Sequence, residues 1–155
     1  MAAAGPFVLS QPAKLNLFSA TNLLGANAAN FKLALLTSAW VPAPATDELY
    51  ATMSANELAT GFGYTNGGAP LAGVVLTQSG GVVKFTANAY TWTASGGSIP
   101  NWRYGMVYYL GTLNGKVNPI VAYFLGDATP ADVPATTAGN TLTVTPNASG
   151  IISAT

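Results

Sequence analysis

Five carboxylates, four lysines and one arginine are the only charged side chains in 155 residues, and histidine and cysteine are absent. Without imidazole, the usual proton-transfer group near neutral pH and the commonest metal ligand are missing. A Ser-His-Asp triad cannot be assembled. Without a thiol there is neither a thiolate nucleophile nor a disulfide. The acids are Asp47, Glu48, Glu57, Asp127 and Asp132. Asp47 and Glu48 are adjacent, so on a helix or a strand they point apart. Asp127 and Asp132 flank Thr129 and Pro130, where nearby carbonyls would suit a hard cation, but the regular acidic spacing of a calcium loop is lacking. A glycosidase pair needs carboxyls about 5 to 9.5 Å apart, a separation that only a fold can set. The acids therefore read as turn and cap groups. No catalytic, cofactor-binding or metal-ligating residue is assigned, and the chain is expected not to be an enzyme.

GFGYTNGG, residues 61 to 68, invites a nucleotide reading. It lacks the GxGxxG spacing, and no Lys-Ser/Thr follows its last glycine. It reads as a bent loop. The stronger signal is aromatic: three Trp, seven Tyr and six Phe. In NWRYGMVYYLG (101 to 111) the one arginine stands between Trp102 and Tyr104. If 102 to 110 is a strand, Trp102, Tyr104, Met106, Tyr108 and Leu110 share one face, and Arg103, Gly105, Val107 and Tyr109 the other. One face is then core and the other a protein contact, because Tyr, Trp, Met and Arg are enriched where proteins meet. The alternative use of such a ladder is to stack sugar rings. Arg103 is expected to be a structural pin in or near an interface, paired with one of the five acids. Its stem can lie against apolar neighbours while its fork takes a carboxylate or carbonyl. The interface candidates are Pro6, Phe7, Trp102, Arg103, Tyr104, Tyr108 and Tyr109.

The elements that must position these residues are mostly strands. Residues 1 to 13, with Pro6 and Pro12, read as an extended N-terminal arm, and residues 14 to 155 as a single β-sandwich domain. KLNLFSATNLL (14 to 24) has helical spacing and Gly25 as a stop. NFKLALLTSAW is a two-sided core strand. SANELA (54 to 59) predicts one helical turn capped by Ser54. LAGVVLT and VVKFTA flank a Gly80-Gly81 hairpin turn, and YTW, WRYGMVYYL, PIVAYFLG, TLTVT and SGIIS follow as strands. Asn114-Gly115 favours a type I′ turn. The expected fold is all-β: an antiparallel sandwich, jelly-roll-like, of about eight strands with one or two short helices.

Composition narrows the partners. Charged residues are 6% of the chain, against about 25% in ordinary proteins. Net charge is zero, which argues against nucleic acid as a partner and for association with protein. No uninterrupted apolar run reaches the roughly 18 residues of a membrane helix. A homo-oligomer is expected.

FKLALLTS (31 to 38), NELATGFGYTNGGAPL (56 to 71), the TW pair at 91 and 92, WRYGMVYYL (102 to 110), PIVAYFLG (119 to 126) and LTVTPNASGII (142 to 152) also stand in a suggestive order and spacing. Together they resemble a group of small structural proteins of tailed-bacteriophage virions, across residues 14 to 155. The resemblance implies a capsid decoration or cement subunit that stabilises the phage head, with the major capsid protein as partner and the capsid surface as location. No cofactor is implied. The alternatives are a tail or head-fibre component, or a carbohydrate-binding module for host recognition. This chain departs from the group's pattern in its very low charge and its Ala/Pro-rich N-terminus.

Overall fold

The computed structural model describes residues 2–3, 5–10, 30–79, 82–129 and 131–154. The helix expected over 14 to 24 and the Gly80-Gly81 turn lie outside the described residues. Eight strands of three or more residues are present: β3 (Phe31–Leu36), β5 (Val75–Ser79), β6 (Val82–Thr86), β7 (Tyr90–Thr93), β8 (Tyr104–Tyr109), β11 (Ile120–Leu125), β12 (Thr141–Thr145) and β13 (Ile152–Ala154). Five two-residue strands join them: β1 (Ala2–Ala3), β2 (Val8–Leu9), β4 (Ala69–Pro70), β9 (Thr112–Leu113) and β10 (Lys116–Val117). The fold is all-β, and its pairings are antiparallel except for β1 beside β12.

The central sheet has the order β2-β11-β8-β3-β4. Its middle strands are buried on both faces, which is why FKLALL and IVAYFL are continuous hydrophobic runs rather than alternating ones. On one face Phe31, Leu33, Leu35, Val107 and Phe124 meet Phe85, Trp92, Leu142, Val144 and Ile151, which come from or beside the sheets β1-β12-β7 and β13-β6-β5. On the other face Ala34, Leu36, Met106, Tyr108, Ile120 and Tyr123 are covered by Trp40, Tyr50 and Met53. The register between β11 and β8 shifts between Ile120 and Ala122, so Val121 and Ala122 both serve the first face. Gly105 lies on that face too: a Cβ there would come within 2.1 Å of the Phe124 ring.

The single α-helix among the described residues, α1 (Tyr50–Met53), starts four residues before the expected turn and runs into a 3₁₀ turn at Ser54–Asn56. Ser54 does not cap an N-terminus. Its hydroxyl donates back to the Ala51 carbonyl, the local bond that serine offers inside or at the end of a helix. At the opposite end of the sheet, Asn114 (φ 49°) and Gly115 (φ 74°) form the β9–β10 turn with both φ positive, as type I′ requires.

Two parts of the N-terminal arm belong to the chain's own sheets. β1 pairs with β12, and β2 forms the edge beside β11, with Val8 opposite Tyr123. The Gly5 N–H donates to the Leu125 carbonyl, and the Phe7 ring sits 4.4 Å from that of Phe124. Among the described residues no helix is long and apolar enough to cross a membrane.

Candidate functional site

The strand expected from residue 102 begins at Tyr104, and the two residues before it leave the pattern. Trp102 bridges to Val133, while the Arg103 N–H donates to the Leu36 carbonyl and its own carbonyl accepts from the Gly126 N–H. The alternation slips by one at this point. Trp102 turns to the larger core against Phe124, whereas Tyr104, Met106 and Tyr108 serve the opposite face. The expected grouping of Trp102 with Tyr104 and Tyr108 is thus corrected by the bridge to Val133. Trp102 is 1% exposed, and Tyr108 and Tyr109 are also buried within the single chain. Phe7 is half-buried and Pro6 exposed. Of the sequence candidates, Pro6 and Tyr104 come together in one cleft, and the others do not join them there.

Arg103 pairs with Asp132, Nε to Oδ1 at 2.7 Å, with the Arg103 side chain 28% exposed. Asp132 Oδ2 accepts from the Asn101 amide at 2.9 Å. The pair fastens the 101–103 segment to the loop that carries Val133. Asp127 instead accepts from the Thr129 N–H and hydroxyl in its own turn. The two acids that flank Thr129 thus serve different partners. Asp47 and Glu48 do point apart: Asp47 turns inward to accept from the Ala43 N–H at 2.6 Å, and Glu48 takes Lys116 Nζ at 3.0 Å.

Sequence reasoning missed the most enclosed polar cluster. Glu57, 8% exposed, accepts from the Tyr50 hydroxyl on Oε2, and from the Tyr64 hydroxyl (2.5 Å) and the Gly67 N–H (2.9 Å) on Oε1. The chain of bonds continues: the Leu35 N–H donates to the Tyr64 hydroxyl at 2.9 Å, and the Tyr108 hydroxyl donates to the Gly67 carbonyl at 2.6 Å. Tyr50 stacks on Tyr108 with centroids 4.3 Å apart. No cation takes part in this printed set of bonds; hydroxyl and amide dipoles surround the carboxylate. Burial, then the hydrogen bond to Glu57, pushes the Tyr50 hydroxyl well above its usual range. Burial followed by the Glu57 charge does the same to Tyr64, and those two causes in the same order raise Tyr108 to about 12. A carboxylate so fully engaged acts as an anchor that ties the 50–68 crossover to the sheet. One signal was present: Tyr50 and Tyr64 each stand seven residues from Glu57.

The cleft that holds Pro6 and Tyr104 has a volume of about 360 Å³ and is lined by apolar and aromatic groups, with Val8, Pro42, Tyr123 and Leu125 among them. The register of β2 on β11 puts Val8 beside Tyr123. Trp40 stands edge-on to both tyrosines, at 5.2 Å from Tyr104 and 5.4 Å from Tyr123. Burial, then the charge of Asp47, raises the Tyr123 hydroxyl above its ordinary range. Pro42 and Pro44 restrict the segment after Trp40 to extended conformations. Asp47 holds that corner through Ala43: its carboxylate takes the Ala43 N–H, and its own N–H donates to the Ala43 carbonyl. Val41, at the tip, is 78% exposed. Among the described residues no group of three or more potential ligands could hold a metal ion. No protein-family model, no curated protein and no solved structure matches this chain.

Proposed function

We propose that this chain is a non-enzymatic structural subunit of a bacteriophage particle, a decoration or cement protein on the capsid surface that binds the major capsid protein. The observation that carries the association part of this reading is how the charges are disposed. Arg103 and Asp132 neutralise each other, as do Lys116 and Glu48, while Asp47 and Glu57 are turned inward. A surface left with so little charge has weak self-repulsion and a low desolvation cost on contact with protein. Val8, Val41, Phe62, Val75, Leu110 and Val117 remain exposed on it. A cement subunit needs area and many identical sites rather than chemistry, and apolar contact at about 25 cal/mol per Å² accumulates when it is repeated over a shell. The phage-specific part of the reading rests on the sequence resemblance. The glycan alternative would need a platform other than Trp102, which is interior.

Immunogold labelling of particles banded in a density gradient, with antibody to this chain, tests the reading. A regular lattice of label on the heads is the expected result. Label confined to tails or fibres would replace it with the fibre alternative. Banded particles free of the chain would overturn a virion role altogether.

A further inference from the structure

We infer that the cleft between Tyr104 and Tyr123 is the contact surface for a second copy of this chain, paired about a two-fold axis. The inference deepens the association reading above and rests on it. A two-fold contact uses the same patch twice, so one patch must carry both a projection and the recess that receives it. This patch does. The recess is formed by Tyr104, Tyr123, Leu125, Val8 and Pro6, and Pro42 closes one side of it. The projection is the corner at Val41 and Pro42, which is continuous with that wall. An axis through the cleft brings the Val41 corner of each copy over the tyrosines of the other.

The projection is rigid before contact. Two prolines limit its backbone, and Asp47 grips it through both the N–H and the carbonyl of Ala43. Little ordering entropy remains to be lost on association. Charge selects the partner. No Asp, Glu, Lys or Arg lines the cleft, and the nearby Arg103 is already neutralised by Asp132. An acidic or basic partner would lose solvation here and gain no counter-charge. A glycan would find aromatic faces but no charged or amide side chain for its hydroxyls. A copy of this chain, with zero net charge and an apolar projection, meets neither penalty. One cleft and its rim make a contact at the small end of specific interfaces, so a weak dimer with Kd on the order of 10–100 µM is expected.

Sedimentation velocity over a concentration series tests this on the full chain, for the parent, for Val41→Asp and for Val117→Asp. Val117 is 59% exposed and lies at the other end of the strands, so its variant controls for a generic loss of surface hydrophobicity. Val41→Asp is expected to weaken association by about tenfold or more, as loss of a central anchor does, and Val117→Asp to leave it unchanged. Because the chain has no cysteine, a Val41→Cys variant can carry a single benzophenone label. Its photo-crosslinks are expected in the second copy's peptides that contain Tyr104 and Tyr123. The inference is overturned if the parent sediments as a monomer throughout, if Val41→Asp associates like the parent, if both Asp variants lose association equally, or if the crosslinks fall elsewhere. A monomer that still bands with particles would overturn the groove pairing alone. A groove-paired dimer absent from particles would overturn the virion reading alone.

Discussion

The two faces of the central sheet are closed by different physics. The face toward β7, β12 and β6 is covered by whole strands, and its contacts are rings and aliphatic chains, such as Phe31 against Phe85 at 4.8 Å. The other face has only a four-residue helix and two loops to cover it. A cover that small buries too little apolar surface to hold itself in place, since ordering each residue costs about 1–2 kcal/mol of backbone entropy. Hydrogen bonds to Glu57, and from Ala43 to Asp47, supply the attachment. The comparison teaches that the exposed cleft is what remains where the thin cover ends. On the first face there is no equivalent, because strands run its full length.

Substitutions can separate these two modes, and the largest effect is expected on the strand-covered face. Phe85→Ala should lower unfolding free energy by about 3–5 kcal/mol in urea titration, as for other fully buried phenylalanines. A loss below 1 kcal/mol would mean that this face is not the dominant core. On the thinly covered face, Glu57→Ala strands two hydroxyls and an N–H, and should cost about 2–3 kcal/mol. Combined with Tyr64→Phe the losses should be clearly non-additive, since both remove one network. Simple additivity would show that the carboxylate is not the anchor.

Alkaline pH should loosen the same cover selectively. In the unfolded chain a tyrosine loses its proton near pH 10, whereas Tyr50, Tyr64 and Tyr108 are held neutral to higher pH when folded, Tyr108 to about 12. Their contribution is therefore complete below pH 10 and is lost as pH rises from there toward the folded values. The urea midpoint should fall between pH 10 and 11.5 in the parent, and less steeply in a Tyr64→Phe variant. Equal slopes would disconnect the tyrosines from stability. The smallest effect is expected at Arg103 and Asp132. Both are partly exposed, so the coupling energy of a double-alanine cycle should be about 0.2–1 kcal/mol.

Much of this was legible because strand signals are local. The eight longer strands follow from continuous or alternating apolar runs, and the Asn114-Gly115 turn from the positive φ angles that this pair adopts. The pairing of Arg103 with an acid was legible as a need, because a lone guanidinium in an apolar segment requires a partner. Which acid it takes was not, since Asp132 lies twenty-nine residues away. The placement of Trp102 was misread for a definite reason: alternation assumes that the strand continues, and the bridge to Val133 interrupts it. Glu57 looked like a turn acid because its tyrosine and amide partners gather only once the 50–68 crossover has folded back.

By itself, then, the order of residues settled that this polypeptide is β-rich, nearly chargeless and without imidazole or thiol, because those are properties of composition and of neighbours along the chain. Only the tertiary structure decided which aromatic rings are interior, which acid meets Arg103, and that two tyrosines floor an open cleft beside a proline corner. These depend on register and on which segments lie across from one another, and a one-residue slip in either reverses the face to which a side chain turns.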